Sequence, residues 1–509
     1  MDMEQNKSLR EETSLTAIAH ASTLTHEAAE DFLLPDYMPA VRRVVRVEAT
    51  PLPENRFLTG SAIEFGGTVA YSVLYIGEGG ELFTAPLTTE YTASSALGDS
   101  GVSDAAAVGI DTAAENVTCR VTAPRRLTLK CRMKTKLTAT VPVMIGETVA
   151  ESTGARITPA DEIALERLTA EAHNTVLSRG ELTATSEGTI AAEGKIIRCG
   201  GAVRVEEAVA GEGAVTVRGD VVVFVIYLSP EGTYSTASAK EPFTETVTVP
   251  GAEPGDAARA VGRAASVAVT VSEDGSRFEI EYDLEAETAR ACTALYTADI
   301  FSTDCAAASE FTEEDSLSLV KCAQGSLTVS GEGERRSKAA AGESILDTHA
   351  VASVEHAELQ NGRLILTGNC AVSVLILAEG DVVSEEFTLP WRYECDSPVP
   401  SASDLLWRCT AETVGAVTRF EGDKFSVRLD LAVSMTVLSR EKIRRVKTAT
   451  LTKSEKRAAD DGCIRVTYPA RGESLWEIAK RYGVSRSTIR AQNGIPDVET
   501  ECDGAPLLI

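Results

Sequence analysis

Apolar and polar residues alternate with a period of two along most of the chain, which is the pattern of strands that bury one face. Residues 278–285 (FEIEYDLE) are the clearest case, because Phe, Ile, Tyr and Leu alternate there with acidic residues. Residues 127–133 and 425–431 alternate in the same way. Gly, Pro and Asp turns separate such stretches, so the pattern predicts small antiparallel β-sandwiches.

The strand pattern recurs along the chain at a nearly constant spacing. An apolar strand followed by a glycine-containing turn occurs three times, at residues 66–80, 218–232 and 367–381. The alternating strands that begin at residues 127, 278 and 425 lie 151 and 147 residues apart. Self-similarity at one spacing is the signature of a repeat architecture. The sequence therefore predicts three tandem repeats.

The outward faces of two matching strands differ in charge. The strand of the first repeat carries Lys130, Arg132, Lys134 and Lys136, and that of the second carries Glu279, Glu281, Asp283 and Glu285. Two interpretations stay open. The charges form solvated faces that keep sheets from pairing edge to edge, or they attract one another between repeats or between molecules.

Shifts towards Ala, Gly, Ser and Thr mark the expected domain boundaries. We predict a mainly β chain in which helix outside the C-terminal module is limited to a segment at about residues 159–175 and part of the N-terminal tail. The predicted order is an N-terminal tail (1–29), repeats at 30–165, 166–320 and 321–450, a linker (451–462) and a small C-terminal module (463–509).

The C-terminal module departs from the strand pattern. Ser474 and Glu477 have the spacing of a capping box, and Gly483 stands where a helix C-cap is expected. Ser485 opens a second helix, which stops near residues 493–494. Short strands at 464–468 and 506–509 complete a βααβ unit. One apolar stripe follows the first helix, at Leu475, Ile478, Ala479 and Tyr482.

Charge and cysteine content narrow the possible partners and compartments. The chain has 49 basic and 76 acidic residues, a net charge of −27 that disfavours nucleic acid. Its longest apolar run, at 221–228, is too short to cross a bilayer, and the polar N-terminus does not resemble a signal peptide. Eleven cysteines without a CxxC pair are typical of a reduced compartment. We therefore expect a cytosolic location and no transmembrane segment.

No residue pattern indicates catalysis. Ser100 in a GDSG sequence and His20 superficially resemble a serine protease, but Ser100 lies in a loop without core signal and His20 in a polar segment. None of the five histidines has a His or Cys at metal-ligand spacing. We expect no enzyme activity, no metal site and no cofactor.

Residues 471–485 (RGESLWEIAKRYGVS), followed by Asn-Gly-Ile at 493–495, resemble a LysM domain. Glu473 stands where the family usually has Asp. The resemblance implies a groove for N-acetylated glycans between the loop before the first helix and the loop after the second. Carried over to this chain, the groove residues are Gly472, Glu473, Ser474, Leu475, Asn493, Gly494, Ile495 and Pro496.

The module is basic, although the chain is acidic. Six basic residues stand against Glu473 and Glu477 between residues 464 and 496, a net charge of +4. A neutral glycan gives no reason for this charge, whereas an acidic protein partner does. An exposed Trp beside arginines is typical of an interaction hot spot; the alternative is that this Trp packs against the linker or the preceding repeat. The predicted partner-binding set is Trp476, Lys480, Arg481, Arg486 and Arg490.

The repeats resemble a family as well. Residues 30–45, 242–256 and 300–304 are similar to the DUF3794 repeats of clostridial sporulation proteins, although the third repeat lacks a clear PF…VPG element. DUF3794 repeats with a C-terminal LysM domain resemble the spore-coat morphogenetic proteins. The resemblance implies a non-enzymatic scaffold in the mother-cell cytoplasm, at the forespore surface, that binds the coat basement-layer ATPase SpoIVA through its LysM domain and can contact other coat proteins. A peptidoglycan-binding or N-acetylglucosamine-glycan-binding protein is the rival hypothesis, and a phage or toxin-system baseplate adaptor is a third.

Overall fold

The computed structural model describes residues 13–59, 61–97, 106–145, 149–152, 165–272, 275–336, 342–378, 380–395, 398–400, 402, 404–453, 465–496 and 501–509. Strands make up about 80% of the structure and helices 4%. The prediction of a mainly β chain with a small helical module at its C-terminus is confirmed.

Each repeat contributes six long strands. The first repeat has β1 (Thr13–Leu33), β2 (Val41–Thr59), β3 (Ala62–Gly77), β4 (Leu82–Ala96), β5 (Ala107–Ala123) and β6 (Arg126–Ile145), followed by the short β7 (Val149–Ser152). The second has β8 (Leu165–Ile190), β9 (Lys195–Gly211), β10 (Ala214–Leu228), β11 (Tyr234–Thr248), β12 (Ala257–Ser272) and β13 (Gly275–Ser302). The third has β14 (Cys305–Glu334), β15 (Ser344–Gln360), β16 (Arg363–Ala378), β17 (Asp381–Glu394), β18 (Leu405–Glu421) and β19 (Lys424–Lys453). The C-terminal module consists of β20 (Val466–Thr467), α1 (Leu475–Tyr482), α2 (Arg486–Asn493) and β21 (Leu507–Leu508).

All three repeats share one sheet topology. The first strand of a repeat pairs with the sixth and the sixth with the fifth, while the second, third and fourth form another antiparallel sheet. The alternating apolar residues of the two sheets face each other and form one core per repeat. In the second repeat, for example, the rings of Tyr282 on β13 and Phe243 on β11 lie 5.2 Å apart. Each repeat is therefore a β-sandwich of two three-stranded sheets.

Three expectations about the repeats were wrong. Residues 13–29 belong to β1 and not to a tail, because their small apolar residues pair with β6, and Leu15 is fully buried. Of the helical segment expected at residues 159–175, residues 159–164 lie outside the described residues, and residues 165–175 form the start of β8 and not a helix, because they pair with β13. β14 crosses the boundary predicted between residues 320 and 321, and β19 extends to Lys453, inside the predicted linker.

The three sandwiches form a closed ring. β4 contacts β9, β11 contacts β15, and β17 contacts β2, so each repeat meets the next through equivalent strands. Apolar residues from all three repeats fill the centre of this ring: Leu74, Ile76, Leu82, Ile197, Ile226, Leu346, Leu375 and Val382. The three repeats are thus arranged like the subunits of a trimer, although they belong to one chain.

Charged residues lie beside this apolar centre at equivalent positions. Arg46, Arg198 and Asp347 lie opposite Leu74, Ile226 and Leu375 in the strand pairing. The Nη2 atom of Arg46 is 2.5 Å from Asp347 Oδ2, and that of Arg198 is 2.5 Å from Glu48 Oε2. Both arginine side chains are almost fully buried. The three repeats thus share one buried ionic cluster.

The ends of the long strands form a second bundle, here called the stalk. It comprises residues 13–20, 139–145, 165–175, 291–302, 305–318 and 438–453. Leu15, Ala172, Ala294 and Ile443 make an apolar contact among all three repeats there. β7 adds to the stalk as a parallel partner of β19. The stalk therefore joins the repeats a second time.

The charged outer faces meet mostly their own sheet. Lys130 lies 3.3 Å from Glu27 on β1, and Arg132 lies 3.3 Å from Glu115 on β5. Two members of the faces do reach another repeat. Lys136 lies 3.2 Å from the ring centre of Trp407, and Glu285 lies 2.6 Å from Arg408. Among the eight residues of these two faces, the contacts with another repeat are those of Lys136 and Glu285, the residues at the inner end of each face.

Candidate functional site

The two helices of the C-terminal module begin and end where their capping residues predict. Ser474 Oγ accepts a hydrogen bond from the Trp476 N–H at 3.2 Å, and Ser485 Oγ accepts one from the Thr488 N–H at 3.1 Å. Gly483 and Gly494 end the helices in the left-handed conformation, with φ of 66° and 65°. This conformation costs glycine little, because it has no Cβ.

The apolar stripe of α1 forms the core of the module. Leu475, Ile478 and Ala479 are buried together with Ile489 of α2. β20 and β21 cover this core as an antiparallel pair. Local caps therefore set the ends of the two helices, and the apolar stripe sets which face of α1 points inward.

Trp476 lies on that outer face and contacts the stalk. Only 5% of it is exposed, because its indole packs edge-on against Phe301 of β13 with ring centroids 4.9 Å apart. The indole Nε1–H donates to Asp299 Oδ2 at 2.9 Å. The expectation of an exposed tryptophan was wrong. Trp476 packs against protein, as in the alternative interpretation, but its contacts are with the second repeat and not with the preceding third one.

Two of the predicted cations bind the same strand ends. Lys480 Nζ donates to both carboxylate oxygens of Asp299, at 2.8 and 2.6 Å. Arg486 lies over the Trp476 ring at 4.9 Å, 3.3 Å from Glu166 Oε2, and donates to the Arg167 carbonyl at 2.8 Å. The stalk thus contributes one carboxylate from β13 and one from β8 to ion pairs with the basic face.

The pKa of Asp299 reflects this contact. Burial raises the pKa of its carboxyl, but the hydrogen bonds from Lys480 and Trp476 outweigh burial and hold it below its usual value. The carboxylate is therefore charged at neutral pH. Its side chain is 18% exposed, so the ion pair with Lys480 is only partly screened by water.

The remaining predicted cations face other groups. Arg481 keeps 55% of its side chain exposed and lies 2.5 Å from Glu473 within the module. Arg490 belongs to the last turn of α2, and its main-chain carbonyl accepts the hydrogen bonds of Gly494 and Ile495. The structure brings Trp476, Lys480 and Arg486 together on one face, whereas Arg481 pairs with Glu473.

The groove predicted for a glycan is already used in part by the fold. Gly472 N–H donates to the Cys502 carbonyl, and Glu473 N–H donates to that of Ala470. The Asn493 amide donates to the Leu508 carbonyl at 2.8 Å and accepts from its N–H at 2.7 Å, so it closes the edge of β21. Ser474 caps α1 and Leu475 is buried. The backbone of Gly494–Pro496, beside them, lies at the surface around a half-buried Ile495.

Family models match two parts of the chain. Residues 194–272 match the SipL SPOCS domain, and residues 470–498 match the LysM domain. The chain combines these two domains. The SPOCS match coincides with β9–β12 of the second repeat, and β2–β5 and β15–β18 have the same strand order in the other two. Comparison with curated proteins and with solved structures found no match.

The contact partners of the LysM domain on the stalk could not be found from sequence. Glu166, Leu168, Asp299 and Phe301 lie at strand ends whose pairing brings them together, and residues 159–175 had been expected to be helical. An Asp-x-Phe sequence at residues 299–301 was the available signal, because alternate residues of a strand share a face.

Of the two residues that superficially resemble a serine-protease pair, the structure describes one. His20 lies in β1, with Nε2 2.9 Å from Ser95 Oγ, while Ser100 is outside the described residues. Among the described helices, none has the length and apolarity needed to span a membrane.

Proposed function

We propose that the chain is a non-enzymatic scaffold of the endospore coat that binds the coat basement-layer ATPase SpoIVA through its LysM domain. The SPOCS and LysM matches fit a protein associated with the sporulation coat, and both are binding domains. On this proposal it works in the mother-cell cytoplasm, at the forespore surface. The ring of sandwiches displays the LysM domain at the end of the stalk.

One observation carries the choice of a protein partner. The basic face of the LysM domain is in contact with protein: a carboxylate, an aromatic ring and a second carboxylate of the stalk fill it. A face with a Trp, a Lys and an Arg that already fits an acidic protein surface is suited to another such surface. The net charge of this domain supports the same partner class.

The glycan-binding alternative rests on the LysM match itself. The exposed Gly494–Pro496 turn leaves one wall of the groove open to a sugar. The N–H groups of Gly472 and Glu473 on the opposite wall already donate to the carbonyls of Cys502 and Ala470, which leaves fewer donors for an acetamido group. This observation favours the protein partner.

Two pull-downs with the full chain test the proposal. Purified SpoIVA and washed peptidoglycan are offered in parallel, and we expect SpoIVA to be retained. The matched variants are Arg481→Glu, an exposed arginine of α1, and Arg465→Glu, an exposed arginine on the strand side of the same domain. Arg481→Glu should weaken retention about tenfold and Arg465→Glu much less. Retention on peptidoglycan without SpoIVA would overturn the proposal in favour of the glycan.

A further inference from the structure

We propose that the Trp476 face of the LysM domain recognises an acidic strand end of the form Asp-x-Phe, and that the second repeat occupies this face in cis. An external partner must then present the same chemistry and displace Asp299 and Phe301 before it binds. The competition with a coat partner rests on the proposed function, whereas the contact in cis does not.

The recognised element is three residues of one strand. Asp299 and Phe301 lie two apart on β13 and therefore share a face. Their two side chains meet the same indole in different ways: the carboxylate accepts the Nε1–H at 2.9 Å, and the phenyl ring packs against the indole at 66°. The tilted ring contact and the hydrogen bond each have a required direction. The Trp476 indole thus recognises both a charge and an aromatic ring at a fixed spacing.

The neighbouring strand adds a second acidic contact. β8 runs antiparallel to β13 here, with Glu166 opposite Phe301 and Leu168 opposite Asp299. Glu166 pairs with Arg486, and Leu168 packs with Phe301 against the apolar core of the module. The surface that fits the LysM face is therefore a two-stranded end with apolar residues between two carboxylates.

The same side chains cannot hold two partners at once. Lys480 spends two hydrogen bonds on the Asp299 carboxylate, and Trp476 has a single N–H donor. While the stalk holds them, the indole has no donor left for an external carboxylate, and Lys480 has one of its three N–H groups left. The apparent affinity for an outside partner is then the intrinsic affinity reduced by the fraction of undocked domains.

Hydroxyl-radical footprinting of the full chain tests the contact in cis. Oxidation of Trp476, read by mass spectrometry, should be low in the wild type and rise several-fold in the Asp299→Asn/Phe301→Ala variant, because its 5% exposure depends on those residues. Trp391, 4% exposed in the third repeat, reports whether the chain stays folded. Asp304→Asn, an exposed carboxylate close by in the turn between β13 and β14, is the matched control. Unchanged Trp476 oxidation in the double variant would overturn the proposal.

A peptide tests the recognition itself. The probe is the blocked hexapeptide of residues 297–302 (TADIFS), added at millimolar concentration to the double variant. It should restore the low oxidation of Trp476, and the same peptide with Asn in place of Asp should protect much less. No protection by the first, or equal protection by both, would contradict recognition of Asp-x-Phe.

Binding of SpoIVA separates this inference from the proposed function. The double variant leaves every LysM side chain in place and should bind SpoIVA about tenfold more tightly than the wild type. Equal or weaker binding would overturn the competition. If neither form binds SpoIVA while the footprint behaves as expected, the proposed partner is wrong and the cis contact stands.

Discussion

Glu287 is a buried carboxylate that holds three arginines from two repeats. Arg179 and Arg259 reach it from the second repeat, and Arg408 reaches it from the third. Its side chain is 1% exposed, and the three positive charges hold its pKa well below the usual range although burial alone would raise it. A buried charge is tolerated only when it is paired and hydrogen-bonded.

Replacing the Glu287 carboxylate should strongly destabilise the folded protein. Glu287→Gln keeps the shape but leaves three arginines short of a counter-charge, so we expect a loss of about 3–5 kcal/mol in the free energy of unfolding. Urea denaturation measures it. Glu332→Gln, which breaks an exposed pair with Lys424, should cost less than about 1 kcal/mol. Equal losses in the two variants would contradict this account of the cluster.

The ring centre should make stability depend on pH. Desolvation lowers the pKa of His349 below 6.5. Burial raises the pKa of Glu48, but the charges of protonated His349, Arg198 and Arg46 outweigh burial and lower it to about 2. As the pH falls through 6.5, the unfolded chain takes up a proton that the folded protein resists, so stability decreases. Stability decreases again below pH 4.5, because the unfolded chain protonates Glu48 at a higher pH than the folded protein does.

His349→Gln removes the first of these steps. Between pH 7 and pH 5 its urea midpoint should fall less than that of the wild type. His356→Gln, an exposed histidine on the same strand, should follow the wild type. A wild-type slope in His349→Gln would show that this imidazole does not carry the pH dependence.

At the scale of elements, β1 shows how pairing outweighs local composition. The segment from Thr13 reads as polar, with small Ala and Thr residues, yet it pairs with β6 and brings Leu15 into the contact of all three repeats. The end of β1 that lies in the stalk contains few large apolar residues. Each of them therefore matters to stability.

We expect Leu15→Ala to destabilise the protein by about 2–4 kcal/mol, because it leaves a cavity among packed neighbours. Leu295→Ala, on the neighbouring part of the stalk, removes the same atoms from a residue that is 52% exposed and should change the midpoint little. Thermal unfolding compares the two. Similar shifts would mean that the stalk contact does not need Leu15.

The elements that sequence predicted well are those determined locally. The helices of the LysM domain begin at Ser474 and Ser485 and end at two glycines, and all four signals lie within the helices' own sequence. The start of β8 was missed because Leu165 and its neighbours include good helix formers, while the pairing partner lies more than a hundred residues away. The docked position of Trp476 depends on that same distant strand.

At the scale of the whole molecule, three like repeats need unlike charges where they meet. Arg46, Arg198 and Asp347 occupy equivalent positions beside the ring centre. The repeat spacing revealed the equivalence of such positions, but not that they face each other. Closure into a ring depends on contacts between strands of different repeats, which periodicity does not encode.

A charge exchange tests this arrangement. Asp347→Arg places three arginines around the centre and should cost about 3–5 kcal/mol. Arg46→Asp combined with Asp347→Arg restores the set of charges and should recover at least half of that loss, measured by urea denaturation. A double variant no more stable than Asp347→Arg alone would show that the order of charges around the ring, and not their sum, is required.

The pairing of first and last strands in each repeat bears on how the chain is made. Among the strands that the structure describes, β1 pairs with β6 and β14 pairs with β19, so a sandwich closes only after its last strand has left the ribosome. β7 can pair only after the third repeat has been synthesised, because its partner β19 is the final strand of that repeat. Each nascent repeat therefore holds an unpaired edge for most of its synthesis, and a slow stretch of translation after residues 145, 302 or 453 would give each sheet time to close.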